Sequence, residues 1–417
     1  MAGCGAAERE SRYVATSKSP STPWMLQGNR WSRRLDPFTW IMTVVLVAVL
    51  LGDGLAWLAI RADAYYVFSP GTAPVITTSS SCRNTGGGNL TLPDGTPCAR
   101  LEVPANLAHQ ISGNLFMVDV YVGQATPLDY LRSKLGPLGA LEQGTQFVPR
   151  RLVLGSTPQS QLLCQDNQQM QSASSSAAVV AIRRLGYKVT ENNLGAQLFQ
   201  IQPGTAAALA GLQCADLVTS IGGKAVHTSQ DLVNILRTYK PGDQVSITVE
   251  RTSAQAAKKT ITVTAHLTGT PSIGKQPANP QKAFLGVFAQ DDTTFSFPFG
   301  VNVDVGNIGG PSAGLALTLG LLDALSNGQL TGGHKVAATG TIAIDGSVGD
   351  VGGVAQKAVA VRNAGAQVFL VPPQELRAAE SQAHGLKVFA VSTLQQALND
   401  LQALGGRVPV PSSGQNG

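Results

Sequence analysis

The stretch Asn307-Ile308-Gly309-Gly310-Pro311-Ser312-Ala313-Gly314 decides how the chain is read. Before it, residues 299–306 alternate Val301, Val303 and Val305 with polar neighbours, the period of a half-buried strand. After it, Pro311 presets a helical dihedral, and residues 315–325 are apolar on nearly every face (Leu315, Leu317, Leu319, Leu321, Leu322), which predicts a buried helix. Ser312 therefore falls on a strand-to-helix turn at the positive end of a helix dipole. The backbone N–H groups of Gly310, Ser312 and Ala313 are then candidates to hold a developing oxyanion.

A serine hydroxyl needs a base to become a nucleophile. The five histidines (His109, His227, His266, His334, His384) stand in no recognisable hydrolase setting, and no Gly-x-Ser-x-Gly elbow occurs. Lys357 is the better candidate. It follows Gly352-Gly353-Val354-Ala355-Gln356 and lies in a small, apolar run reaching Val361, where desolvation lowers a lysine pKa. A Gly-Gly-Pro-Ser run alone is an ordinary capped turn, and a lone lysine among alanines and valines ordinarily snorkels to the surface. The two together, with Ala338-Thr339-Gly340 between them, argue for chemistry.

These motifs resemble the proteolytic domain of the Lon family, which uses a Ser-Lys dyad. The resemblance covers roughly residues 283–403. It implies Ser312 as nucleophile, Lys357 as general base and Thr339 as the residue that contacts the lysine. Gly309 departs from the pattern, since many soluble Lon proteases carry an acidic residue there. No Gly-x-x-x-x-Gly-Lys-Ser/Thr pattern occurs in the chain, so ATP is not an expected partner and the peptidase is expected to work without it.

Residues 192–266 read as a distinct unit. A strand at Gln197–Gln202 is followed by Pro203-Gly204-Thr205-Ala206-Ala207, which opens a short helix. A strand and turn follow at residues 216–223. Ser229 caps a helix Gln230–Tyr239 with Leu232, Ile235 and Leu236 on one face, and a strand runs over Val245–Arg251. This order resembles a bacterial PDZ domain. The resemblance implies that a peptide adds as an extra strand beside Gln197–Gln202, with Leu194, Gly195, Ala196 and Leu198 at the binding positions and the Ser229 helix as the other wall. A spacer that binds nothing is the plainer alternative.

Phe38 to Ile60 is a membrane-length apolar run, about 23 residues at ~1.5 Å rise for a ~30 Å hydrocarbon core. Trp40 and Trp57 bracket it, and Arg9, Arg12, Arg30, Arg33 and Arg34 precede it. That asymmetry predicts a cytoplasmic N-terminus and an exported body at the cell membrane. A cleaved signal peptide ending near Ala62-Asp63-Ala64 is the rival reading. In an oxidising compartment Cys82 and Cys98 form a natural disulfide, while Cys164 and Cys214 either pair or stay buried as thiols. The net charge of +5 is modest, and much of the basic excess precedes the apolar run, so no nucleic-acid partner is expected. The cysteines show no zinc spacing, and neither a metal nor a cofactor is expected.

The expected organisation is α+β: a tail over 1–36, a transmembrane helix over 37–60, an α/β region over 61–191, a PDZ domain over 192–266, a linker over 267–282, a Lon-type proteolytic domain over 283–404 and a tail over 405–417. The whole resembles membrane-anchored, Lon-like PDZ peptidases of Gram-positive bacteria, which implies a peptide or protein substrate. A catalytically silent peptide-binding scaffold is the alternative, and a homo-oligomer stays open.

Overall fold

The computed structural model describes residues 37–109, 111, 114–135, 141–155, 157–252, 257–272 and 277–409. The expected N-terminal tail with its arginines, and the end of the C-terminal tail, lie outside these residues. The chain falls into two units, divided between Leu55 and Ala56 inside the helix Pro37–Asp63. In the first unit the described part is the helix itself, whose apolar side chains are exposed from Phe38 through Leu55.

The second unit is organised on a seven-stranded mixed sheet. In spatial order its strands are Asn302–Asp304, Cys98–Glu102, Val75–Thr77, Leu115–Phe116, Val336–Ala338, Val368–Val371 and Lys387–Ala390, and the last four run parallel. The run Val368-Phe369-Leu370-Val371 has no polar member, as a strand buried on both faces requires. Its residues alternate between two apolar cores: Val368 and Leu370 join the core of the helices Gln159–Arg184, Gly314–Leu325 and Leu394–Ala403. Phe369 and Val371 join the core of the helices Val354–Asn363 and Leu376–Ala383.

Three strands of this sheet come from residues 75–116, which the sequence reading set apart within an α/β region over 61–191. The division fails because these strands hydrogen-bond directly to the rest of the sheet, and Ile76, Leu101 and Leu115 share one core with Leu315 and Leu317. The strand read over 299–306 shortens to Asn302–Asp304 at the sheet edge. Residues 115–122, apolar but for Asp119 and Tyr121, divide at Asp119. Leu115–Phe116 stays in the large sheet, while Val120–Gln124 joins Tyr65–Pro70 and Gln146–Pro149 in a small antiparallel one.

Between Arg184 and Asn302 the chain makes a second sheet, ordered Lys258–His266, Gln244–Thr252, Leu217–Ile221, Thr190–Ile201 and Val287–Ser296. Its own core contains Ala196, Leu198, Val218, Leu232 and Ile247. The expected linker over 267–282 is replaced in its described part by the paired strands Thr268–Thr270 and Asn279–Phe284, and Leu267 and Leu285 are buried in this same core. The helix read from a Ser229 cap starts one residue earlier. Thr228 is the cap, its hydroxyl accepting from the Asp231 N–H while Asp231 accepts from the Thr228 N–H, and the helix spans Ser229–Leu236. The inserted domain is held at its neck, where Tyr187 stacks edge-on against Phe299 at 5.2 Å.

Among the described residues two disulfides are present, Cys82–Cys98 and Cys164–Cys214. The second, left open by sequence, joins the long helix Gln159–Arg184 to the inserted domain. Their sequence separations are 16 and 50 residues. Loop-closure entropy then assigns them about 3 and about 4 kcal/mol respectively. The double replacement Cys164→Ala/Cys214→Ala should therefore lower the urea midpoint more than Cys82→Ala/Cys98→Ala. Equal losses, or the reverse order, would contradict the entropic ranking.

Candidate active site

Ser312 lies on a 3-10 turn, Pro311–Ala313, that runs straight into the helix Gly314–Leu325. Gly310 before it has φ 84°, a conformation that a side chain disfavours. Gly314 after it is needed for room, since a Cβ there would come within 2.8 Å of the Ile342 backbone nitrogen. Ser312 is partly exposed in a cleft of about 940 Å³. Lys357 lines the same cleft from the helix Val354–Asn363, and its side chain is nearly closed to solvent, the residue being 3% exposed. The two helices belong to opposite faces of the large sheet. Between them, directly after the strand Val336–Ala338, stands Thr339.

Hydrogen bonds tie the three together. The Lys357 ammonium donates to Thr339 Oγ1 at 3.1 Å, and Thr339 Oγ1 donates to the Ser312 carbonyl oxygen at 3.2 Å. The Gly340 N–H donates to the same oxygen at 3.0 Å, and the Leu315 N–H returns to the Gly340 carbonyl at 3.1 Å. One hydroxyl of Thr339 thus links the lysine to the backbone of the Ser312 turn. None of the five histidines lines the cleft.

Burial pulls the Lys357 pKa down from 10.5 to about 8, against a smaller upward pull from Asp119 and Glu375. Asp119 was not singled out in the sequence. Its carboxylate accepts from the Thr72 N–H at 2.5 Å and from Thr72 Oγ1 at 2.8 Å. A Cβ at Gly71 would lie 1.8 Å from Asp119 Oδ1, so only glycine fits beside it. The signal available was an aspartate breaking the apolar run of residues 115–122.

Asp166, also missed, comes from the long helix. Its carbonyl accepts the Gly310 N–H at 2.9 Å, so of the three backbone donors expected at the oxyanion position Gly310 is already engaged. The expectation then rests on Ser312 and Ala313. A Cβ on Gly309 would meet Asp166 Cβ at 3.1 Å, so the helix occupies the space beside that glycine.

The second expected site is displaced. Leu194, Gly195, Ala196 and Leu198 all lie in the strand Thr190–Ile201, which is paired on one edge with Leu217–Ile221 and on the other with Val287–Ser296. Ala196 and Leu198 are wholly buried in the core, and the edge reserved for a peptide is filled by the chain itself. The open edge belongs to Val287–Ser296. A groove of about 260 Å³ runs between the helix Ser229–Leu236 and Phe284, Leu285, Gly286, Val287 and Ala289. Asp291 on that strand accepts from the Ser229 N–H at 2.6 Å, placing negative charge at the helix N-terminus. The sequence signal was Phe284-Leu285-Gly286-Val287, an apolar run broken by a glycine with φ 88°.

A buried lysine is a cost to the fold below its own pKa. The unfolded chain holds the Lys357 proton up to about 10.5 and the folded chain releases it near 8. The penalty is therefore full below pH 8 and is relieved as pH rises toward 10.5, and the difference corresponds to about 3 kcal/mol. Lys357→Met should unfold at higher temperature than the parent at pH 7, with the gap closing toward pH 10.5. A gap that stays constant across that range would show that burial does not lower the pKa of the lysine.

Residues 284–403 match the Lon protease (S16) C-terminal proteolytic domain, and residues 184–265 match the PDZ domain. Lon protease 2 of Bacillus subtilis (strain 168) is 30% identical over 194 residues, 42% of this chain and 34% of that protein. The Lon protease of Chloroflexus aggregans (strain MD-66 / DSM 9485) is 31% identical over 111 residues, 26% of this chain and 13% of that protein. The solved PDZ domain of an SdrC-like protein from Listeria monocytogenes aligns at 24% identity over 23% of this chain and 87% of that one, with a TM-score of 0.19, too low to bear on the fold. The chain spans about a third or less of the curated relatives it matches. It combines a PDZ domain with a proteolytic domain of the Lon (S16) type.

Proposed function

We propose that the chain is a serine endopeptidase that cleaves peptide or protein substrates without ATP, anchored in the cell membrane with its body at the extracytoplasmic face. The observation that carries the reading is Lys357, buried, its pKa drawn to about 8 and hydrogen-bonded to Thr339 within the Lon-type match. Near neutral pH a usable fraction of that lysine is unprotonated. Ser312 attacks the scissile carbonyl as its proton passes to Lys357, which returns it to the leaving amine. The N–H groups of Ser312 and Ala313, at the start of the helix, stabilise the oxyanion. The sidedness is supported by the arginines ahead of the apolar helix and by two disulfides, which belong to an oxidising space.

The PDZ groove serves recruitment. A substrate segment adds as a strand to the open edge of Val287–Ser296, with the helix Ser229–Leu236 as the far wall.

Turnover of a cleavable peptide should rise with pH along an apparent pKa near 8. Ser312→Ala and Lys357→Arg should each lose on the order of a thousandfold or more in kcat, since the pair acts as a unit and a guanidinium does not deprotonate. A folded Lys357→Arg protein with near-parental turnover would refute the dyad. Val233 is 42% exposed on the groove helix. Val233→Glu should weaken binding of groove-directed peptides about tenfold and leave cleavage of a short peptide unchanged. Unchanged binding would remove the groove from recruitment.

A further inference from the structure

Among the described α-helices of the second unit, two contain no buried residue: Pro127–Lys134 and Arg150–Leu154. Both are pinned to the residues that directly follow the membrane-length helix. The Ala125 N–H donates to the Tyr65 carbonyl at 3.0 Å, and the Arg150 N–H donates to the Ala64 carbonyl at 2.8 Å. The rings of Tyr130 and Phe147 close on Tyr65 at 5.9 and 6.5 Å. Arg150 pairs with Asp63, the last residue of the long helix, at 3.1 Å.

What these helices show to the outside is apolar and basic. Leu128, Leu131 and Leu135 recur at helical spacing and are 53%, 39% and 47% exposed, while Leu152 is 72% exposed. Arg132, Lys134 and Arg151 lie among them. The nearby acids are engaged, Asp129 in the capping box of Thr126 and Asp63 with Arg150. A groove of about 710 Å³ opens between Tyr65, Arg150, Arg151 and Leu154. On the long helix itself, Arg61 stacks over Trp57 at 5.2 Å, the pairing of side chains that suits a membrane–water boundary.

We propose that these two helices rest on the bilayer, their leucines in the headgroup–acyl boundary and their arginines and lysine among anionic headgroups. The proposal rests on the reading that the helix Pro37–Asp63 spans a membrane. A surface with apolar side chains between cations, starting where that helix ends, is what an interfacial seat requires. A second copy of the chain explains the leucines but not the excess of cations, which have no ion-pair partner among the described residues. Tyr121 and Val122, on the strand leading into the first helix, also line the cleft of Ser312. The seat therefore holds one wall of the cleft at the lipid surface, and the substrates within reach are segments that emerge from or lie along the membrane.

The test uses the full chain with Cys4→Ser, so that a thiol introduced at an exposed site takes up an environment-sensitive fluorophore. Sites are Leu128→Cys and Leu152→Cys on the seat, Val47→Cys in the long helix and Leu209→Cys, 82% exposed on the PDZ domain. The proteins are placed in phosphatidylcholine vesicles with or without phosphatidylglycerol, carrying spin-labelled lipid as quencher. Labels at 128 and 152 should lose roughly half their emission, as expected for side chains about 5–10 Å into the boundary, and less when phosphatidylglycerol is omitted. The label at 209 should lose none. Quenching at 47 without quenching at 128 and 152 overturns the seat and leaves the anchor standing. No quenching even at 47 removes the anchor and the seat together. Shielding of 128 and 152 that depends on protein concentration in detergent, without lipid, assigns the surface to a second copy and overturns the proposal.

Discussion

An ammonium group held almost out of water is the constraint around which the catalytic half of the molecule is arranged. Lys357 can be buried because Thr339 offers a hydroxyl oxygen at 3.1 Å and because its helix packs firmly through Val354, Ala358 and Val361. That hydroxyl is placed by the end of the strand Val336–Ala338, where the sheet's two cores meet. Ser312 reaches the same point from the other face, on a turn whose carbonyl is held by Thr339 and Gly340. The two side chains of the proposed dyad therefore come from separate layers and are brought into one cleft by the sheet between them. Ligand sites at the carboxyl ends of parallel strands follow the same logic.

Much of this was legible because it is local. Gly310-Pro311-Ser312 and Gly352-Gly353 followed by Lys357 are short runs whose residue types leave few chemical uses, and the helices after them announce themselves by composition. What was not legible depends on residues far apart. Asp119 acquires its place from Thr72, and Asp166 from Gly310, across separations that periodicity does not encode. Leu115–Phe116 pairs with Val336–Ala338 far along the chain, and no local pattern encodes that neighbour, so residues 61–191 read as a domain of their own.

The error over the peptide edge has the same origin. The alternation in Thr190–Ile201 identifies a strand, but its partner Val287–Ser296 arrives nearly a hundred residues later. Sequence pattern gives the faces of a strand and is silent about which neighbours occupy its edges. Both edges of the first strand are filled, and the open edge beside the groove lies one strand further out, where the peptide site is proposed.

The neck between the two domains is more than a covalent passage. Thr190–Ile201 and Val287–Ser296 enter and leave the PDZ domain as one antiparallel ribbon, Tyr187 and Phe299 lock its base, and Cys164–Cys214 adds a third connection to the long helix. A domain hung on a single flexible linker samples many distances from its neighbour, whereas one held on a ribbon and a crosslink keeps one. On the proposed reading, the groove and Ser312 then act as the two marks of a molecular ruler. The number of residues between a recognised segment and the bond that is cut becomes a property of the fold.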